Sequence, residues 1–210
     1  MECRRNSFTV DDYVIGILLK LSPEQTYVRI SHPEKGELLL SPESGECISR
    51  ISDAAGFYQA PRSSFTFTEM NEAFPLTVIA QNMEDVMWEA AFHAAQGRLI
   101  DGLRKFDVVQ FTRWPNLTRV SLTPNVMRIC ALLTRFPSGI CLGQVILDVE
   151  EAEMYSVCSA AKVIGIVNML NRSVKFDEAE VKLAEARVQK ADEIKSRQFL
   201  SRLFAKLSGL

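Results

Sequence analysis

Few side chains in this sequence could do covalent or metal chemistry, and their spacing argues against most of it. Five cysteines are present, Cys3, Cys47, Cys130, Cys141 and Cys158. Their number is odd and no two form a C-x-x-C pair, which removes the usual zinc and dithiol signatures. A catalytic thiolate needs a base beside it, and the histidines are His32 and His93 alone. Cys130 and Cys158 fall on the apolar stripes of predicted helices and read as small buried thiols. His93 flanks a small-residue stripe and reads as a satisfied structural histidine. There is no phosphate-binding glycine loop, nucleophile elbow, paired-histidine metal motif or acidic calcium loop. The expectation is a non-enzymatic protein without cofactor or metal. A carboxylate pair assembled by the fold is the one catalytic route left open.

A net charge of -2 gives no global basic field to draw the chain onto nucleic acid. With 210 residues, 47% of them hydrophobic, there is ample material for a core. Met1 to Arg5 does not read as a secretory signal. The longest purely apolar stretch, near Val14 to Leu19, is about six residues and far short of a membrane span. A cytoplasmic location is expected.

These residues must be positioned by recognisable elements. Thr26 to Ile30, Glu37 to Leu40 and Glu46 to Ile51 alternate or run apolar, separated by His32-Pro33-Glu34-Lys35-Gly36 and Ser41-Pro42-Glu43-Ser44-Gly45, which are turn chemistry. They predict a small antiparallel meander, and Ser64 to Thr68 predicts a further strand. Asp11 to Leu21 combines a capping-box-like Thr9 and Asp12 with β-branched Val14, Ile15 and Ile17, and leans to helix. A helix over 83–97 is predicted with Asn82 as its cap and Gly97 at its end. It is apolar on two sides, as expected of a helix buried between layers. Asp107 to Thr112 predicts a strand, followed by a loop in which Trp114 is expected to pack as part of a hinge.

From Thr123 the pattern becomes three short helices. Thr123-Pro124 reads as a capped start, the first helix runs to about Arg135, and Pro137-Ser138-Gly139 breaks it. Ile140 to Leu147 gives the second helix. Asp148-Val149 turns into a third, from Glu150 to about Ile164. Val126, Ile129, Cys130, Leu133 and Phe136 form the stripe of the first helix. Ile166 to Leu170 predicts a strand opening a wing, with Asn171-Arg172-Ser173 as its turn. This order resembles the winged-helix superfamily over about fifty residues, in pattern rather than in any residue motif. A DNA reader of that shape would point the start of its third helix at base edges. Here Glu150, Glu151 and Glu153 stand at that start, and bringing them to a polyanion would cost Coulomb energy. DNA binding by this helix is therefore disfavoured, and the three glutamates form a candidate acidic docking surface. An alternative DNA-facing surface would gather Arg113, Arg119, Arg128 and Arg135, of which Arg128 and Arg135 share a helix face.

Between Asp177 and Gly209 the chain has no proline or glycine, which permits a helix of about thirty residues. In its last turns Phe199, Leu200, Leu203, Phe204 and Leu207 share an apolar face, with Lys195, Arg197, Arg202 and Lys206 supplying positive charge. That face could dock on the protein's own core, fill a groove on a partner, or rest weakly on an anionic membrane surface.

The expected architecture is thus α+β: a β-rich region 1–120 around the central helix 83–97, a winged-helix-like module 121–173, and a charged helix 174–210 ending in the basic amphipathic segment. In layout the chain is similar to uncharacterised bacterial regulatory proteins that join a β-rich front to a winged-helix-like rear. The resemblance implies a regulatory or adaptor protein acting by protein–protein contact, through Phe199 to Leu207 with Arg202 and Lys206 and through the winged-helix-like part. A DNA-binding regulator is the second reading. The partner's identity and the oligomeric state are not written in the sequence.

Overall fold

In the computed structural model, which describes residues 7–25, 27–70, 80–120 and 123–170, the meander is the first recognisable layer. Strands β2 (Tyr27–His32), β3 (Gly36–Ser41) and β4 (Glu46–Ile51) follow one another as antiparallel neighbours. With β5 (Thr66–Met70) and β6 (Gln81–Asn82) they complete a five-stranded sheet of order β5-β2-β3-β4-β6. The register sets Val28 opposite Leu40 and Ile30 opposite Leu38, so one face carries four fully buried side chains. That follows from the two-residue period of a strand. Gly36 makes the first hairpin feasible. Its φ is +115°, and a Cβ there would lie 2.0 Å from the Arg50 carbonyl oxygen, a conformation open only to glycine.

Before the sheet come β1 (Ser7–Phe8), a 3-10 turn at Val10–Asp12 and the short α1 (Ile15–Leu18). The helical reading of this stretch holds in part. Thr9 does not cap it; its hydroxyl donates to Asp101 instead. After β4, α2 (Ala54–Gln59) is capped by Asp53, which accepts from the Gly56 amide at 3.1 Å. Its Phe57 and Tyr58 are buried against α3 (Met83–Ala95).

α3 is the central helix that the sequence predicts, capped by Asn82, whose side chain accepts from the Glu84 amide at 2.9 Å. Val86, Trp88, Ala90, Ala91, Ala94 and Ala95 are all buried, because α2 lies on one side and α6 (Glu151–Val163) on the other. The alanines let α6 approach closely. Gln96 and Gly97 then turn the chain through left-handed backbone, φ +47° and +76°. β7 (Leu99–Ile100) pairs parallel with β1.

β8 (Val108–Phe111) is the expected strand, with Val109 and Phe111 buried on one face. It is also the middle of a second antiparallel sheet of order β10-β8-β9, with β9 at Ser138–Gly139 and β10 at Val167–Met169. Around it stand α4 (Val126–Arg135), α5 (Ile140–Leu147) and α6. The packing runs across the boundary expected at 120/121: β8 comes from the front region, α3 lies on α6, and the described residues up to Leu170 belong to one compact unit. The fold class is α+β.

Three local expectations are corrected. Trp114 remains 45% exposed rather than packed, and it is Pro115 beside it that is buried. Phe136 leaves the stripe of α4 because the helix ends at Arg135; its backbone is extended and its side chain 57% exposed. Thr123 does not cap α4, which starts at Val126 with Asn125 before it. The expected wing turn at 171–173 and the expected helix over 174–210, including Phe199, Leu200, Arg202, Leu203, Phe204, Lys206 and Leu207, lie outside the described residues.

Candidate functional site: the α4–α5–α6 face

The three glutamates expected as one acidic surface have separate roles. Glu150 and Glu151 are exposed at the start of α6. Glu153 is half-buried and spends its carboxylate inside the protein. Oε1 accepts from the Asn125 amide at 2.9 Å and from the Thr123 hydroxyl, and Oε2 accepts from Asn125 Nδ2 at 2.8 Å. It therefore caps the entry to α4 from another helix, satisfying donors that a helix start leaves unpaired. Burial opposes its ionisation, but the Thr123 and Asn125 hydrogen bonds and the Arg128 charge outweigh burial and hold its pKa below the usual value.

The arginines of the alternative DNA surface are also largely occupied. Arg128 donates to Asn125 Oδ1 at 2.7 Å and to the Leu147 carbonyl at 2.5 Å. The second bond places a cation on the carboxyl end of α5, where the last carbonyls are unpaired. Arg113 donates to Glu84 at 2.7 Å and Arg119 to the Ala80 carbonyl at 3.5 Å. Arg135 lies over the Phe136 ring, 6.0 Å from its centroid.

What the sequence reading missed is the outer side of α5. Leu142 and Ile146, one turn apart, are 56% and 59% exposed. The helix reads Ile-Cys-Leu-Gly-Gln-Val-Ile-Leu, and its fully buried positions are Ile140 and Gly143. Gly143 faces Met154 and Leu132, which fixes the inner side against α6 and α4 and leaves the Leu142 and Ile146 side outward. The signal was present: eight residues with one polar side chain, on a helix too short and too peripheral to bury every side. Beyond its end the charge turns acidic at Asp148, Glu150 and Glu151. Phe136, before its start, adds another exposed apolar group.

Three of the thiols and both imidazoles sit in packing. Cys47, Cys130 and Cys158 are fully buried. Burial pushes the Cys47 and Cys130 thiols up to about 12 and that of Cys158 higher still. The His93 ring stacks on Tyr58 at 6.1 Å, and its Nε2 lies 3.2 Å from Glu89. His32 accepts from the Glu34 amide and packs edge-on against Phe65. Among the described residues, no three His, Cys, Asp or Glu gather to hold a metal ion, and no helix is long and apolar enough to cross a membrane.

Comparison with protein families, with curated proteins and with solved structures gives no match.

Proposed function

We propose that this chain is a non-enzymatic regulatory or adaptor protein of the cytoplasm, and that the region 121–173 is a winged-helix-like module used to dock another protein. The observation that carries the reading is the outward apolar side of α5. Two large aliphatic side chains more than half exposed, one turn apart, cost free energy in water that a partner's apolar surface recovers, at about 25 cal/mol per Å² buried. The acidic run at Asp148, Glu150 and Glu151 states the partner's chemistry: an amphipathic helix whose apolar face is followed by Lys or Arg. The helix order α4, α5, α6, with β9 between the first two and β10 after the third, supports the winged-helix likeness. The basic amphipathic segment Phe199 to Leu207 is a second docking element in this reading, inserting into a partner.

The test is affinity capture from the native host with the wild-type chain, a Leu142→Asp/Ile146→Asp variant and a version ending at Ser196. The reading expects a protein captured by the wild type and lost with the double variant, whose thermal unfolding is unchanged. Equal capture by the double variant would reject the α5 face. Loss only on truncation would assign docking to the tail alone.

A further inference from the structure

Away from the α5 face, the left-handed turn after α3 opens on a cleft of about 680 Å³, a volume in the range of small-molecule sites. Its buried side is Leu99, Leu103 and Tyr155, and its exposed lip carries Arg104, Lys105 and Glu151. The turn itself is fixed. Gly97 is pressed so near α6 that a Cβ there would lie 2.8 Å from the Ala152 Cβ. The Gly97 amide donates to Ser156 Oγ at 3.4 Å, and the Ile100 amide to Ser159 Oγ at 2.9 Å. The walls are therefore preformed on α6 rather than carried on a free loop.

The charges of this cleft differ in availability. Arg98 is committed: its guanidinium donates to Tyr13 Oη at 2.7 Å and to the Ala94 and Ala95 carbonyls, adding fixed positive charge to the wall. The Lys105 ammonium is held over the Phe106 ring, 4.6 Å from its centroid. Arg104 is bonded through its backbone amide, to Asp107 Oδ2 at 2.9 Å, and among the described residues its guanidinium has no hydrogen-bond or ion-pair partner. Burial first, then the Glu151 charge, keeps the Tyr155 hydroxyl protonated and so a donor. The described lining residues include three cations, Arg98, Arg104 and Lys105, and one carboxylate, Glu151, with the Asp107 carboxylate at the Arg104 amide. A phosphate monoester carries close to two negative charges near neutral pH and accepts the forked hydrogen bonds of a guanidinium.

We infer that this cleft binds a small organic phosphate, its phosphoryl group held by Arg104 and Lys105 and its body lying on Leu99, Leu103 and Tyr155. The Glu151 carboxylate is engaged by the Tyr155 hydroxyl at the edge of the same cleft. The cleft shares Glu151 with the acidic run beside α5, whereas Arg104 lies outside that run, so Arg104→Ala tests this site apart from the docking face.

The test is calorimetric titration of the full-length chain with AMP, UMP and ribose 5-phosphate. At least one binds saturably with Kd below about 1 mM. Arg104→Ala weakens that binding at least about tenfold, with thermal unfolding unchanged because the side chain is exposed. Glu151→Gln, which removes the opposing charge, does not weaken it. Absence of saturable binding for all three probes, or an Arg104→Ala variant that binds as the wild type does, would overturn the inference.

Discussion

Glu153 on α6 accepts hydrogen bonds from both the backbone amide and the side-chain amide of Asn125, at 2.9 and 2.8 Å, and so holds the entry to α4. Asn125 Oδ1 in turn accepts from Arg128, which bonds the last carbonyl of α5. One carboxylate thereby ties together the three helices α4, α5 and α6, on which the proposed docking face lies.

Replacing Glu153 with Ala is expected to lower stability by about 1–3 kcal/mol, since it removes charge-assisted bonds and leaves donors unpaired. Glu150→Ala and Glu151→Ala, at exposed positions, are expected within about 0.5 kcal/mol of the wild type. Urea denaturation of the three variants decides this. Equal effects at all three sites would mean that the Glu153 network contributes nothing.

The same carboxylate gives a pH dependence of known sign. Its folded-state pKa is lowered, so its contribution is complete above the ordinary glutamate value of 4.5 and is lost as pH falls through the folded value. The stability gap between wild type and Glu153→Gln should therefore be widest near neutral pH and close on acidification below about 4.5. A gap that widens on acidification would contradict the assignment.

Thiol accessibility follows from burial. Cys47, Cys130 and Cys158 are fully buried and their thiols are raised to about 12 or beyond. In native protein at mildly alkaline pH, an alkylating reagent should leave these three unmodified while urea exposes them, as mass spectrometry of the labelled chain would show. Fast native labelling of Cys130 or Cys158 would mean that the α4–α6 interface opens readily.

Gly36→Ala should destabilise by at least about 2 kcal/mol, because the new Cβ would meet backbone rather than a movable side chain. A calorimetric unfolding scan provides the readout, and a neutral result would place the β2–β3 hairpin in a different turn.

Local patterns made much of this architecture legible. The break at Pro137-Ser138-Gly139 fixed α5 as Ile140–Leu147, and alternation with turn chemistry located β2, β3 and β4 within a few residues. Relationships across the chain were not legible. Nothing near Glu153 announces that its partner is twenty-eight residues earlier, so it reads as one of three equivalent surface acids. The pairing of β8 with β9 and β10 likewise joins segments on both sides of an apparent boundary. Phe136 continues the spacing of the α4 stripe, and only the end of the helix at Arg135 turns it outward. Leu142 and Ile146 are apolar within an apolar run, and their exposure is set by what fails to cover α5.

That exposure is also where the functional account is most open to contradiction. The most direct measurement is hydrogen–deuterium exchange of the wild-type chain, alone and with the protein it captures. Docking through α5 predicts slowed exchange concentrated over 140–151 on binding, with little change in the meander of β2, β3 and β4. Unchanged exchange over 140–151, with protection elsewhere, would show that the exposed apolar side of α5 is not the docking surface.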